Sequence, residues 1–358
     1  MSDVLVIGGG PAGSSTAIRL TQQGMKVRLY EKNRFPRPKL CGGFISPEAI
    51  PELDALGVLT DVRSAGAWPV RRVMISSPQG SLAQSDLPGL GLSFSREKLD
   101  ALLWRRAQEV GVQTFEGQDG FSAPDRAAWT VVATGRKPHP ACSHPLPKGE
   151  GRVRRYYGLQ AVFEDVSGIS DQVELDLVPG GYVGLVREDS ARVNVCALTT
   201  QRTLKTFGPS PDQVLREWVL LNPVLRKHFA SARRVTPWQS IGPVVMGIKT
   251  LAKESTLYVG DAACVVDPFV GEGIAMCLLG SRRLAEAFAQ ADRSVPEAYE
   301  SVWHKDFARS LMIGNFLRAT MNSRFLQGVL VSGLQIFPVA LRWLTESTRP
   351  QVKSLALP

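Results

Sequence analysis

The sequence predicts an α/β chain, α+β overall. A Rossmann-type domain is interleaved with an antiparallel-sheet domain and followed by a helical C-terminal region. Three observations predict this. The apolar run Val4-Leu5-Val6-Ile7 reads as a strand buried on both faces, and it runs straight into glycines and a helix. A second strand-to-glycine junction, Ser255 to Ala263, recurs late in the chain. Between them, from Arg152 to about Leu198, the pattern changes to short runs with alternation in places. The expected divisions are 1–65, 93–150 and 245–290 for a discontinuous nucleotide-binding domain, 66–92 and 151–244 for the sheet domain, and 291–358 for the helical region.

The first junction is the most specific. Gly8, Gly10 and Gly13 stand in the spacing G-x-G-x-x-G. The first glycine allows the tight turn, the second lets a pyrophosphate approach the backbone, and the third lets the helix pack close to the strand. The helix runs from Pro11, with Ala12 in its first turn, to about Gln23. Proline suits a first position where an N–H would go unused, and the positive helix end faces the phosphates. Val27 to Glu31 reads as the second strand, and Glu31, 18 residues after Gly13, is placed to accept ribose hydroxyls. FAD and NAD both fit this much.

The rest follows in order. Lys32 to Ser46 holds Arg34, Arg37, Lys39, Cys41 and the pair Gly42-Gly43, a stiff basic loop that would cross a cofactor toward its reactive end. A short helix spans Glu48 to Leu56, and Val70 to Ser76 is a strand making the first visit to the sheet domain. Ser95 caps a helix whose apolar face is Leu99, Leu102, Leu103, Ala107 and Val110. Val112 to Phe115 and Ala127 to Gly135 are strands of the nucleotide domain, the latter ending in Thr134-Gly135. Strands are expected at Tyr156 to Phe163, Gln172 to Leu177, Tyr182 to Val186 and Arg192 to Ala197, with a helix near Ser210 to Leu220. Arg233 to Gly242 is expected to lead back to the first domain. The late junction contains Gly260-Asp261, then Asp267-Pro268 and Gly271-Glu272-Gly273-Ile274, and opens an apolar helix to about Gln290. An acid at a strand end and two glycines before a helix suit a ligand lying across the backbone.

Composition narrows the function. The net charge is +9 over 358 residues, but no zinc-ligand spacing, aromatic-studded basic strand or long basic helix accompanies it, so nucleic acid is not expected as a partner. The basic residues fall in short clusters that suit a pyrophosphate, an anionic substrate or an acidic partner. Cys41, Cys142, Cys196, Cys264 and Cys277 show no C-x-x-C spacing, so no metal site is expected. Their odd, scattered count points to a reducing compartment, and the immediate entry into a strand leaves no room for a signal peptide; the expectation is cytoplasmic. No stretch reaches about 18 apolar residues without charge, so no spanning helix is expected. The tail from residue 296 to 345 reads as helical, and its apolar part offers a peripheral membrane or protein contact.

Together these motifs resemble the FAD-dependent oxidoreductases of the para-hydroxybenzoate hydroxylase fold, and within them the geranylgeranyl reductase-like branch, over at least residues 3 to 290. The carriers are the fingerprint Gly8 to Gly13 with Glu31, the loop Lys39-Leu40-Cys41-Gly42-Gly43, and the late set from Gly260 to Ile274. The resemblance implies FAD as cofactor. It implies that Asp261 holds the ribityl chain, that Pro268, Gly271, Gly273 and Ile274 line the isoalloxazine, that Arg96 contacts phosphate or ribityl, and that Cys41 lies beside the flavin. Three departures matter. The strand ending Ala133-Thr134-Gly135-Arg136 lacks the aspartate of many flavin hydroxylases. Tyr182 to Arg187 keeps the tyrosine but not the tryptophan, phenylalanine and proline of prenyl reductases. Trp238 to Pro243 echoes the halogenase signature only faintly, so halogenation is not expected.

The function expected is an FAD-dependent oxidoreductase that hydroxylates an aromatic or natural-product substrate, or a tryptophan-like residue of a partner protein. Transient NAD(P)H is the expected reductant. The alternatives are an NAD(P)H-dependent reductase of isoprenoid or lipid double bonds, and a flavoprotein maturation or electron-transfer partner. Candidate catalytic residues are Cys41, Pro268, Tyr182 and Trp238, with Tyr156, Tyr157, Tyr182 and Trp238 expected to roof the substrate. The histidines, His139, His144, His228 and His304, read as loop or helix-surface residues without a catalytic part.

Overall fold

Two sheets share one interior in the computed structural model, which describes residues 3–124, 127–136, 155–208, 210–290, 294–321 and 323–350. The first sheet orders Ala252–Lys253, Thr256–Tyr258, Trp129–Val132, Val4–Ile7, Val27–Glu31 and Gln113–Glu116. All its pairings are parallel except the edge hairpin Ala252–Lys253 with Thr256–Tyr258. Val4–Ile7 is central and buried throughout, as its uninterrupted apolar run requires. The helix Pro11–Gln22 covers one face together with Arg96–Glu109 and Gly273–Ala289.

The second sheet orders Arg233–Arg234, Tyr156–Glu164, Arg192–Thr200, Gly181–Arg187, Gln172–Val178, Trp68–Ser76, Leu82–Ser93 and Phe44–Ile45, with Gln239–Val244 also on Tyr156–Glu164. Two details depart from the expected organisation. Trp68–Ser76 pairs parallel with Gln172–Val178. The chain leaves this sheet after Ser93 and returns at Tyr156, and so long a crossover permits a parallel pairing that a hairpin forbids. Arg233–Arg234 and Gln239–Val244 do not lead back to the first sheet but remain antiparallel partners of Tyr156–Glu164.

Alternation decides the two faces of this sheet. Val73, Ile75, Val173 and Leu175 face the shared interior. Leu159, Ala161, Phe163, Val183 and Val195 face a separate core under the helices Pro211–Leu221 and Pro223–His228. The helices Val295–Thr320, Arg324–Ile336 and Pro338–Ser347 close the interior beside Leu82–Ser93. No single helix among the described residues is long and apolar enough to cross a membrane.

Candidate functional site

The Gly8 turn lies beside Arg96, one of the residues that line a cavity between the sheets. Gly8 sits at φ +109°, and a Cβ there would stand 2.5 Å from the Ala133 carbonyl oxygen. At Gly13 a Cβ would stand 1.8 Å from the Gly8 carbonyl oxygen, so only hydrogen fits between turn and helix. Gly10 differs: its open side faces only the Arg96 and Arg37 guanidiniums, 3.6 and 3.9 Å from an added Cβ. That gap lies at the N-terminus of Pro11–Gln22, where Pro11 and Ala12 form the first turn. Glu31 accepts from the Gly9 N–H at 2.9 Å and from Arg37 at 3.1 Å, and Asn33 donates to its other oxygen. Burial raises this carboxyl, but Arg37 and the donors from Asn33 and Gly9 outweigh it and hold it below the usual range.

Positive charge is concentrated here. Arg96, the first helical residue after the Ser95 cap, binds Asp100 through two nitrogens at 2.7 and 3.0 Å, and Arg37 lies 3.5 Å from the same carboxylate. Burial opposes the Arg96 charge, but Asp100 more than restores it. The Lys39 ammonium is pushed down by burial and then by Arg96 and Arg37, so local positive charge is incompletely compensated. Lys39 also lies near Gly135, which follows Thr134 at the end of its strand with φ +79°. Lys32 is exposed on the turn after its strand, outside this group.

The late junction forms the next part of the wall. Gly260 at φ +63° packs against Ala12 and Cys277. Asp261 meets Arg136 at 3.0 Å, and Lys249 donates to the Asp261 carbonyl oxygen at 2.8 Å. Pro268 opens a single 3₁₀ turn capped by Asp267, and Gly271 at φ +72° lies against the Phe44 ring. Gly273 and Ile274 then begin the helix to Ala289; a Cβ on Gly273 would meet nothing within 4 Å. Asp267 receives the Phe269 N–H at 3.0 Å, yet burial pushes its carboxyl up to about 6.

Cys41 and Gly42 line the same cavity, and Gly42 also faces open space. Their loop is pinned to the second sheet. The Gln160 side-chain oxygen accepts from the Cys41 N–H at 3.3 Å, and the Asn194 amide donates to the Cys41 carbonyl oxygen at 3.0 Å. Gln160 and Asn194 are bonded to each other at 3.0 Å. Neither was singled out from the sequence; the only signal is a polar residue within each apolar strand run. Arg349 was also missed. It ion-pairs with buried Glu272 at the start of the Gly273–Ala289 helix and ties the C-terminal segment to the cavity wall.

The catalytic candidates divide. Cys41, Pro268 and Tyr182 line the cavity, with Tyr182 edge-on to Phe269 at 5.4 Å between ring centroids. Burial, then nearby Asp267, drives the Tyr182 hydroxyl well above its ordinary pKa, so it keeps its proton. Trp238 does not reach the cavity. It packs on Phe163 on the other side of the sheet and donates to Asp212 at 2.8 Å, because Phe163 belongs to the separate core. Tyr156 is a core residue, and the Tyr157 ring packs on Gly242. His228 departs from the expected surface position. It lies buried under the second sheet, 2.9 Å from Glu174 and 2.6 Å from the Ser167 carbonyl oxygen. Asp176 beside it is driven up by burial and by Glu174, and none of the three lines the cavity. His139, His144 and Cys142 lie outside the described residues.

Beyond Tyr182 the cavity is walled by Val73, Ile75, Leu87, Val173, Leu175 and Leu344. Among the described residues lining it there is no histidine, lysine or glutamate. The fit to FAD is therefore direct. The Gly10 gap with its cations suits a pyrophosphate, and the unfilled spaces at Gly42 and Gly273 flank the passage toward the apolar end.

Comparison with known proteins agrees with this geometry. Residues 1–138 match the profile of the FAD binding domain family. A menaquinone reductase of Mycobacterium tuberculosis (strain ATCC 25618 / H37Rv) is 26% identical over 329 residues, covering 81% of this chain and 77% of that protein. A solved flavin-dependent brominase has a TM-score of 0.79 at 19% identity, covering 96% of this chain and 93% of that one. A geranylgeranyl bacteriochlorophyll reductase-like protein from Thermoplasma acidophilum has a TM-score of 0.77 at 20% identity, covering 99% and 94%. The likeness reaches halogenases as well as reductases. It supports the shared flavoenzyme fold without selecting the geranylgeranyl reductase-like branch.

Proposed function

From the premise that the chain is an FAD-dependent oxidoreductase of the para-hydroxybenzoate hydroxylase fold, we propose that it is a monooxygenase hydroxylating an apolar aromatic substrate, with NAD(P)H as a transient reductant. One observation carries this reading: most of the cavity wall is hydrocarbon, with Thr345, Thr348 and Arg349 on its C-terminal side and Arg96, Arg136 and Asp261 elsewhere, and no histidine, lysine or glutamate stands among its described lining residues. Hydroxylation of an electron-rich ring relies on a dry, oriented substrate more than on side-chain acid–base chemistry.

Bound FAD would supply electron transfer and oxygen activation. Gly10, Arg37 and Arg96 would hold its pyrophosphate, Glu31 its ribose, and Asp261 its ribityl chain. Gln160 and Asn194 hold the Cys41-Gly42 loop against the passage. Val173, Leu175 and Leu344 would exclude water and orient the ring. Tyr182 retains its proton and offers a hydrogen bond to a substrate oxygen.

Cys41 favours a second reading, reduction of an isoprenoid or lipid double bond, because its thiol lies in the cavity wall where it can present a proton. Turnover of a panel of alkyl-substituted phenols and prenylated lipids under isotopically labelled O2 decides between them. Labelled product, with no turnover under anaerobic conditions, is the expected result. Unlabelled product formed equally well without O2 would replace hydroxylation by reduction.

A further inference from the structure

The C-terminal helices carry apolar side chains on their outer surface as well as toward the cavity. Of twelve exposed large hydrophobic residues among the described residues, nine lie between Met312 and Trp343. Phe316, Phe325, Val329, Phe337, Val339 and Trp343 are each 55–79% exposed. Scattered surface apolar residues need no explanation, but a concentration of this kind marks an interaction surface.

Its charge identifies the partner. No Asp or Glu occurs between Asp306 and Glu346, whereas Arg309, Arg318, Arg324 and Arg342 do. Arg309 and Arg324 are exposed, and exposed Arg342 shares its charge with Glu346 at 3.1 Å. Apolar tips set among arginines, with an aromatic residue on each of the three helices, match an anionic lipid headgroup layer over acyl chains. The helices Arg324–Ile336 and Pro338–Ser347 have 13 and 10 residues and turn by 108° at their junction. Each alone is shorter than a hydrocarbon core of about 30 Å, and the sharp turn between them suits a pair lying in the interface.

The third helix connects this surface to the site. Leu341, Leu344 and Thr345 line the cavity, while Val339 and Trp343 point outward. We propose that the outer surface of these helices docks on an anionic bilayer, and that Pro338–Ser347 is the partition past which an amphiphilic aromatic substrate passes from the leaflet into the cavity. This deepens the preceding proposal and rests on its apolar substrate.

The test uses the full chain loaded with FAD and vesicles of phosphatidylcholine with or without phosphatidylglycerol. Co-sedimentation with anionic vesicles is expected, weakened about tenfold or more in neutral vesicles or at high salt. Brominated lipids should quench a component of tryptophan fluorescence that is absent in Trp343→Phe, while that variant still binds. The combined variant Phe325→Glu, Val339→Glu, Trp343→Glu should keep its FAD and lose vesicle binding about tenfold or more. Failure to bind anionic vesicles, or unchanged binding by the combined variant, overturns the proposal. So does a dimer in light scattering that the same substitutions dissolve, since the surface would then belong to a second copy. Vesicle binding without hydroxylated product would count against the monooxygenase reading alone; product without vesicle binding would count against docking alone.

Discussion

The Gly8 turn and the apolar end of the cavity are made from different materials. At the turn the backbone sets the fit: Gly8 and Gly13 meet carbonyl groups at distances no Cβ could share, and Gly10 opens toward two guanidiniums. At the apolar end, side chains form the wall, from Val73 and Leu175 on the second sheet to Leu344 on the last helix. A backbone site admits one residue type at each position. A side-chain wall admits any apolar group of fitting volume, because burial depends on area rather than on identity. One end can therefore be destroyed by a single methyl group, whereas the other should change by degrees.

Gly13→Ala should have the largest effect. Its Cβ would stand 1.8 Å from the Gly8 carbonyl oxygen, so turn and helix must part. FAD affinity should fall at least about a thousandfold, roughly 4 kcal/mol, with the circular dichroism spectrum retained. Flavin absorbance after desalting measures it. A variant that retains one FAD per chain would break the contrast drawn between the two ends.

Asp267, next to the cavity-lining Pro268, gives a pH-dependent effect. Burial pushes its carboxyl up to about 6 against an ordinary 3.8, with the Phe269 N–H and Arg318 pulling the other way. The folded chain therefore binds the proton more tightly than the unfolded chain. The stability this contributes is present below about pH 4 and is lost as pH rises through about 6. Asp267→Asn keeps an oxygen for the Phe269 cap and removes the buried charge. Its stability relative to the parent should rise between about pH 4 and pH 7 by up to about 3 kcal/mol, read from urea unfolding. A difference that stays constant with pH would mean that the Arg318 contact fully offsets burial.

Arg96→Met sharpens the contrast more gently. It removes one of the two guanidiniums that face the Gly10 gap, while Arg37 remains 3.5 Å from Asp100. FAD binding should weaken about tenfold, near 1.4 kcal/mol, and binding of an apolar aromatic ligand by the FAD-saturated protein should be unchanged. Equal losses at both ends in a titration would show that the cation acts on the whole cavity.

The same division explains what could be read from the sequence. Gly8, Gly10 and Gly13, the Ser95 cap and the strands around Tyr156 to Thr200 follow local rules, and each lies where those rules put it. Gln160 and Asn194 obey no local rule: they meet the Cys41 loop from strands 119 and 153 residues away. Arg349 pairs across 77 residues with Glu272, so neither neighbourhood announces the other. His228 ends a short helix with a polar pattern, and only the packing of that helix beneath Glu174 buries it. Trp238 precedes a strand, and a strand's alternation does not say which of two apolar faces is the cavity.

Trp238 provides the smallest expected effect and a control lying outside both ends. Its ring belongs to the core beyond the second sheet, 5.8 Å from the Phe163 centroid, and its indole N–H donates to partly exposed Asp212 at 2.8 Å. Trp238→Phe keeps most of the apolar contact and removes that one hydrogen bond. Because Asp212 also holds Arg234 and can turn to water, the loss should be about 1 kcal/mol or less in urea unfolding. FAD content and turnover of the substrate panel should match the parent. A loss of turnover at full FAD occupancy would contradict the separation of the two faces, since it would require this ring to influence the cavity through the intervening sheet.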